Sequence, residues 1–236
     1  MSARITVNGT ALLADPSGAV FWPEERLLVV SDMHLEKGSS FARRGQFLPP
    51  YDTRATLDRL ARVLQRYRPQ RVACLGDSFH DGEAAERLSA PDRDHLRRMV
   101  QAHDWIWVAG NHDPAPPAEL GGTVQPEIRI GALALRHQPE NGHLPFGEVC
   151  GHFHPKAAVS ARGQSISAPC FVTDGRRMVM PAFGAFTGGL DVLDFAIAGL
   201  FGRTGFRVFM LGRDRLHMFT RDRLMNGSPP REAVAD

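Results

Sequence analysis

Hydrophobic and polar positions change rhythm twice along this chain. Short apolar runs at 5–7 and 19–22, separated by the turn-forming Asn8-Gly9 and Asp15-Pro16-Ser17-Gly18, predict short strands at the start. Leu27-Leu28-Val29-Val30 is then apolar without interruption, as a strand covered on both faces must be, and it ends directly in Ser31-Asp32-Met33-His34. From 53 to 67 the period lengthens. Leu57, Leu60, Ala61 and Leu64 recur at helical spacing, Thr53 can cap the start, and Pro69 lies just past the end.

The same unit recurs. A strand at 71–75 stops at Gly76-Asp77, a polar helix is expected around 91–103, and a strand at 105–109 stops at Gly110-Asn111-His112-Asp113. Strand, motif, helix, strand, motif predicts a layered α/β fold with functional groups at the carboxyl ends of the strands. Beyond residue 120 the runs shorten and Gly and Pro punctuate them. Segments 128–130, 132–136, 148–150, 157–160, 171–173, 177–180, 207–211 and 216–220 predict a mostly β half whose sheet packs on the first. No long linker interrupts the chain, so residues 1–225 are expected to form a single domain, followed by a disordered tail at 226–236.

Composition narrows the setting. With 43% hydrophobic residues in 236, the chain can bury a large core. Lys and Arg number 28 against 26 Asp and Glu, so bulk charge neither favours nor excludes nucleic acid, and only local clusters can. Cys74, Cys150 and Cys170 are an odd set beside apolar runs, which suits buried free thiols in a reducing compartment. Neither a leader-like pattern nor an apolar run of membrane-spanning length is present, so a cytoplasmic protein without membrane association is expected.

Five pieces carry chemistry: Asp32-Met33-His34, Gly76-Asp77-Ser78-Phe79-His80, Gly110-Asn111-His112-Asp113, His137, and Gly151-His152-Phe153-His154. Each alone is a weak signal, but all five follow apolar strand runs, a placement chance does not favour. Asp32, His34, Asp77, Asn111, His137, His152 and His154 supply seven donors, and if Asp77 bridges, each of two ions receives four. Imidazole, carboxylate and amide oxygen without thiolate suit manganese, iron or zinc rather than a closed structural zinc site. A phosphodiester repels hydroxide. Two cations can neutralise that charge and hold a bridging water as hydroxide to attack phosphorus. His112, beside Asn111 yet not needed as a ligand, is then the expected general acid that protonates the leaving oxygen.

In this order and spacing, the five motifs resemble those of the calcineurin-like metallophosphoesterase superfamily, over roughly residues 27–156. The resemblance implies a four-layer α/β/β/α sandwich of two mixed sheets. It also implies that Asp32, His34, Asp77 and His154 hold one metal, that Asp77, Asn111, His137 and His152 hold the other, and that His112 is the catalytic histidine. His80 stands where phosphatases of this superfamily often place an Asp that pairs with that histidine, and a His there looks more like the nuclease branch. Segments 35–42, 48–53, 151–155 and 180–184 are similar to the bacterial ligase-associated DNA-damage-response endonucleases. That likeness implies two manganese ions, DNA as substrate, and functional association with an ATP-dependent ligase and a helicase in repair.

The substrate is less legible than the metal chemistry. Lys37, Arg43 and Arg44 follow the first motif and Lys156 and Arg162 follow the last, so positive charge is expected at the mouth, suited to single-stranded or flexible DNA. Phe153, between two expected ligands, can offer a stacking face or shape the pocket floor, whereas Phe41, Phe47 and Tyr51 are expected to pack their loop. His95, His103, His143 and His217 lie outside the motifs and are expected to serve surface or core. Asp113 and Glu36 are expected to orient a motif histidine or cap a turn. The alternative activity, a phosphatase or cyclic-nucleotide phosphodiesterase acting on small molecules, shares the same metals. A metal-free binding scaffold is disfavoured, because none of the seven donors is missing.

Overall fold

A computed structural model describes residues 1–46, 48–49, 51–115, 117–142, 145–161, 163–202 and 205–225. The expected tail at 226–236, together with Phe47, His143 and Arg162, lies outside the described residues.

Seven strands follow chain order across the first sheet: β1 (Ala3–Val7), β2 (Thr10–Ala14), β3 (Val20–Trp22), β4 (Leu27–Val30), β5 (Arg71–Leu75), β6 (Asp104–Val108) and β7 (Thr123–Gln125). They pair antiparallel as far as β4 and parallel from β4 onward. The second sheet holds β8 (Glu127–Ile130), β9 (Leu133–Arg136), β10 (Gly147–Cys150), β11 (Lys156–Ala161), β12 (Gln164–Thr173), β13 (Arg177–Val179), β14 (Arg207–Leu211) and β15 (Leu216–Thr220). Its order is β15-β14-β12-β13-β10-β9-β8 with β11 paired to β12, and its parallel pairs are β9/β10 and β10/β13. Helices α1 (Lys37–Arg43), α2 (Asp52–Tyr67), α3 (Ala84–Arg87), α4 (Ala90–Gln101) and α5 (Phe195–Ala198) complete the fold.

The uninterrupted apolar runs are explained by burial on both faces. In β4, β5 and β6 alternate side chains point opposite ways. Leu28, Val30, Val72, Cys74, Trp105 and Trp107 pack under α2 and α4 against Leu57, Leu60, Leu64, Leu96 and Val100. Leu27, Val29, Ala73, Leu75, Ile106 and Val108 face the second sheet and meet Leu133, Leu135, Val149, Phe171 and Met178. Each fully buried Leu or Val contributes about 1.5–3 kcal/mol of transfer free energy, so this double-sided packing fixes the strand ends firmly. The outer face of the second sheet, with Val172, Val179, Val208 and Met210, is covered by Val192, Ile197, Phe201 and Phe206. The fourth layer is therefore the segment around α5 rather than a long helix.

Two mixed sheets with helices outside them make this the expected α/β class. Several elements depart from the pattern-based expectation. α1 has the polar sequence KGSSFAR and no amphipathic stripe, so nothing in its pattern marks a helix. β12 runs ten residues where only 171–173 was expected. Its first half is mostly exposed and forms a hairpin with β11, outside the core that sets a readable pattern.

Candidate metal centre

The carboxyl ends of β4, β5, β6, β9 and β10 converge on one edge of the sandwich, and each runs directly into one of the five motifs. The first two loops are zipped together: the His34 amide donates to the Asp77 carbonyl at 2.9 Å, and the His80 amide to the Leu35 carbonyl at 3.0 Å. The second sheet joins through the His152 amide, which donates to Asp32 Oδ2 at 3.0 Å. Asp32 is fully buried, and Ser31 Oγ donates to the same Oδ2 at 2.6 Å, which leaves Oδ1 facing His154 and His137. Ser31 has no part in the motif-based site, although its place between strand and Asp32 was the available signal.

The backbone here is unusual. Among the described residues, five of the ten non-glycine positions with positive φ are Asp32, His34, Asp77, His152 and His154. The left-handed region is uncommon outside glycine and costs of order 1–3 kcal/mol per strained residue, so the surrounding packing must hold these turns. Gly151 and Gly110 are among the motif glycines that have no room for a side chain. A Cβ on Gly151 would lie 1.8 Å from Ser31 Oγ and 2.3 Å from Asp32 Oδ2. A Cβ on Gly110 would lie 2.2 Å from the Asp77 amide nitrogen.

These constraints gather the donors into two groups, Asp32/His34/His154 and Asp77/His137/His152, whose ligand atoms lie within 4.8 Å of one another in each. Asp77 Oδ2 lies 3.9 Å from His34 Nε2 and 3.4 Å from His137 Nε2, so this carboxylate stands between the groups. His34 Nε2 and His154 Nε2 are 3.2 Å apart, and His154 Nε2 is 3.3 Å from Asp32 Oδ1. Asn111 Oδ1 comes within 2.8 Å of His137 Nε2.

The donor set fits a cation. His137 Nδ1 lies 3.0 Å from the Leu75 carbonyl, an acceptor that requires Nδ1 to carry the proton. Burial lowers the proton affinity of this ring, but Asp77 and Asp32 outweigh it and raise it. Without an ion a proton is therefore favoured at Nε2, facing Asn111 Oδ1, Asp77 Oδ2 and His152 Nδ1 at 2.8, 3.4 and 3.2 Å, and a cation would take that proton's place. Electron pairs converging on one point suit a positive ion. Burial, with the nearby charge of His154 next, pushes the His34 imidazole down to about 3, which keeps its lone pair free at neutral pH. Burial opposes ionisation of Asp77, yet its hydrogen bonds and the charge of His137 outweigh it and hold the carboxyl well below the usual range.

His112 is exposed and anchored twice. Its amide donates to Asp77 Oδ1 at 2.9 Å, and its Nδ1–H donates to the His80 carbonyl at 2.9 Å. The His80 ring stacks on that of His112 with centroids 5.6 Å apart, while its Nδ1 turns to His34 at 3.4 Å. Asp113 orients no histidine. Its Oδ2 accepts from the Ser78 and Phe79 amides at 2.8 and 3.1 Å, so it shapes the loop that carries Asp77. Burial pushes its carboxyl up to about 7. Glu36 Oε1 accepts from Thr53 Oγ1 at 2.9 Å and ties the start of α1 to α2.

The expected substrate residues divide. Lys37 stands over the Phe41 ring, its Nζ 5.5 Å from the centroid, and it lies near both His80 and Lys156. Arg44 lines a cleft with Ser40, Asp81 and Gly82. Arg43 is spent on an ion pair with Glu83. Phe153 meets the His152 ring edge-on at 4.9 Å and lines a second cleft with Gln138, Asn141 and Phe195.

A layered α/β sandwich with paired Asp/His groups at its strand ends defines a metal-dependent hydrolase. Residues 25–165 match the calcineurin-like phosphoesterase family, and the chain belongs to it. That family uses a dinuclear metal centre, and the chain carries two Asp/His groups where one would sit. Among solved structures, the chain is similar to nuclease MPE of Pseudomonas putida, with 28% identity over 93% of this chain and 100% of that one, at a TM-score of 0.71. A phosphoesterase of E. coli, Yfce, is 14% identical over 82% of this chain and 98% of that one, at a TM-score of 0.43. No curated protein matches the chain.

Proposed function

We propose that residues 1–225 act as one domain that hydrolyses phosphodiester bonds in DNA. The observation that supports this most is the full-length similarity to the Pseudomonas putida nuclease, together with a complete donor set. In this proposal Asp32, His34, Asp77 and His154 hold one divalent ion, and Asp77, Asn111, His137 and His152 hold a second, manganese being the preferred metal. The bound pair would supply charge neutralisation and activation of the nucleophile.

The remaining work falls to the chain. His112, its Nδ1–H held by the His80 carbonyl, keeps Nε2 as the atom for a mobile proton. As the bond from phosphorus to the leaving oxygen breaks, that proton passes to the oxygen. Lys37, Lys156 and Arg44 supply positive charge at the mouth, and Phe153 offers an aromatic face. Arg43 adds little while paired to Glu83. A role in repair beside a ligase and a helicase rests on the likeness of segments 35–42, 48–53, 151–155 and 180–184. Three buried free cysteines support a reducing, cytoplasmic setting, and among the described residues no helix is long and apolar enough to cross a membrane.

The test is one assay with manganese on single-stranded DNA, duplex DNA, bis-p-nitrophenyl phosphate and p-nitrophenyl phosphate. Cleavage of DNA and of the diester is expected. Turnover of the monoester alone would replace this proposal with a small-molecule phosphatase.

A further inference from the structure

A cleft of about 530 Å³ on the far side of α2 is lined by Arg59, Arg62, Arg66 and Arg213, with Tyr67, Asp15 and Asp214. Arg59, Arg62 and Arg66 share one face of α2 by their spacing, and Arg213 arrives from the turn between β14 and β15. Asp15, buried at the cleft edge, is already engaged: it accepts from Arg66 at 2.8 Å and from Tyr67 at 2.7 Å. Asp214 is the remaining carboxylate, on the rim beside Arg213. Among the described residues, Arg59, Arg62 and Arg213 have no carboxylate within ion-pair distance.

Arg59 is the informative member. It is half-buried, and its guanidinium lies 4.8 Å from the ring centroid of Phe183, which is fully buried. A guanidinium taken partly out of water without an anion is costly, and a ring face offsets only part of that cost. Burial and the charge of Arg62 both push its proton affinity down, as expected where positive charges crowd without a counter-ion.

The cleft is also stitched to the candidate metal centre. The Phe183 amide donates to the Ser31 carbonyl at 2.8 Å, and the Gly184 amide to the Asp32 carbonyl at 3.0 Å. The Ala185 amide donates to Thr56 Oγ1 on α2 at 2.9 Å. The loop at 183–187 thus separates the first metal motif on one side from the arginine face of α2 on the other. Phe186 crowns this loop, 52% exposed and held at φ 57.

We propose that this cleft binds phosphate groups of the nucleic-acid strand flanking the scissile bond, with the strand crossing the loop at 183–187 between the two sites. The inference rests on the nuclease reading for the source of the phosphates. Fork-shaped guanidinium groups recognise phosphate oxygens bidentately, and four arginines against two carboxylates leave the cleft positive.

The experiment measures fluorescence anisotropy of a labelled single-stranded oligodeoxynucleotide across a series of NaCl concentrations. It compares the wild-type protein with Arg62→Ala/Arg213→Ala, and adds Arg59→Gln with its thermal melting recorded to separate binding from packing. The double variant is expected to bind roughly tenfold more weakly and to lower the slope of log affinity against log salt by roughly 1.5, near 0.7 per lost contact. Its turnover of bis-p-nitrophenyl phosphate, too short to cross the loop, should be unchanged. Unaltered affinity and slope would overturn the proposal while leaving the nuclease reading intact. Absence of oligonucleotide binding by the wild type would overturn both. Binding of millimolar inorganic phosphate that is lost in the double variant but leaves oligonucleotide binding unaffected would reassign the cleft to a small phosphorylated ligand and also overturn it.

Discussion

The Nδ1–H of His112 is held by the backbone carbonyl of His80, at 2.9 Å, and not by any side-chain carboxylate. The partner that orients the proposed general acid is therefore indifferent to the side chain at position 80. His80→Ala is expected to leave kcat within about tenfold of wild type, a change of about 1.4 kcal/mol. His112→Ala is expected to lower it about 10²–10⁴-fold. Steady-state rates on bis-p-nitrophenyl phosphate check this, and equal losses in both variants would show that the His80 ring itself takes part.

Asp77 stands between the two donor groups, so its removal should weaken both. Asp77→Ala is expected to lose bound metal and turnover together, whereas His112→Ala should retain metal, as read by elemental analysis after desalting. Chelation of the wild type should lower its melting temperature. At a metal concentration one hundred times the Kd, binding contributes about 2.7 kcal/mol, which for a chain of this size corresponds to roughly 5–10 °C. An unchanged melting temperature on chelation would argue against metal binding at these groups.

Gly151 has no room for a side chain, since a Cβ would meet Ser31 Oγ and Asp32 Oδ2. Gly151→Ala is expected to cost about 1–3 kcal/mol of stability through forced backbone movement and to lower metal content. Gly188→Ala, with nothing within 4 Å of its Cβ, is the control and should do neither. Thermal melts and metal analysis of the pair decide it.

Acid should weaken the anchor between α2 and the β2–β3 turn. Burial raises the Asp15 carboxyl, but its bonds from Ser17, Tyr67 and Arg66 outweigh that and hold it below its ordinary value. A depressed folded-state pKa gives stability that is present above about pH 4, the unfolded value, and is lost as pH falls through the folded value. Asp15→Asn should therefore cost about 1–3 kcal/mol at neutral pH and progressively less in acid. Urea melts at pH 7 and pH 3 measure the difference, and an equal cost at both would refute the linkage.

The parts of this chain that were legible in sequence are those whose environment leaves a periodic mark. β4, β5 and β6 read correctly because both faces are buried, and α2 because one face is. The polar α1 and the exposed half of β12 left no such mark. At the site, side-chain identity announced the Asp and His donors. The backbone contact from His80 to His112, the pairing of Arg43 with Glu83 and the Arg59 cleft depend on how distant segments meet, which no local pattern records.

The left-handed turns at Asp32, His34, Asp77, His152 and His154 set stability and function against each other at the same residues. Glycine would relax each turn, so selection for heat resistance alone would drift toward glycine there and erase donors one by one. Variants that melt later but bind less metal are the expected harvest of such a screen, clustered at these five positions. The site is thus where the chain remains less stable than it could be, for as long as it needs to hold ions.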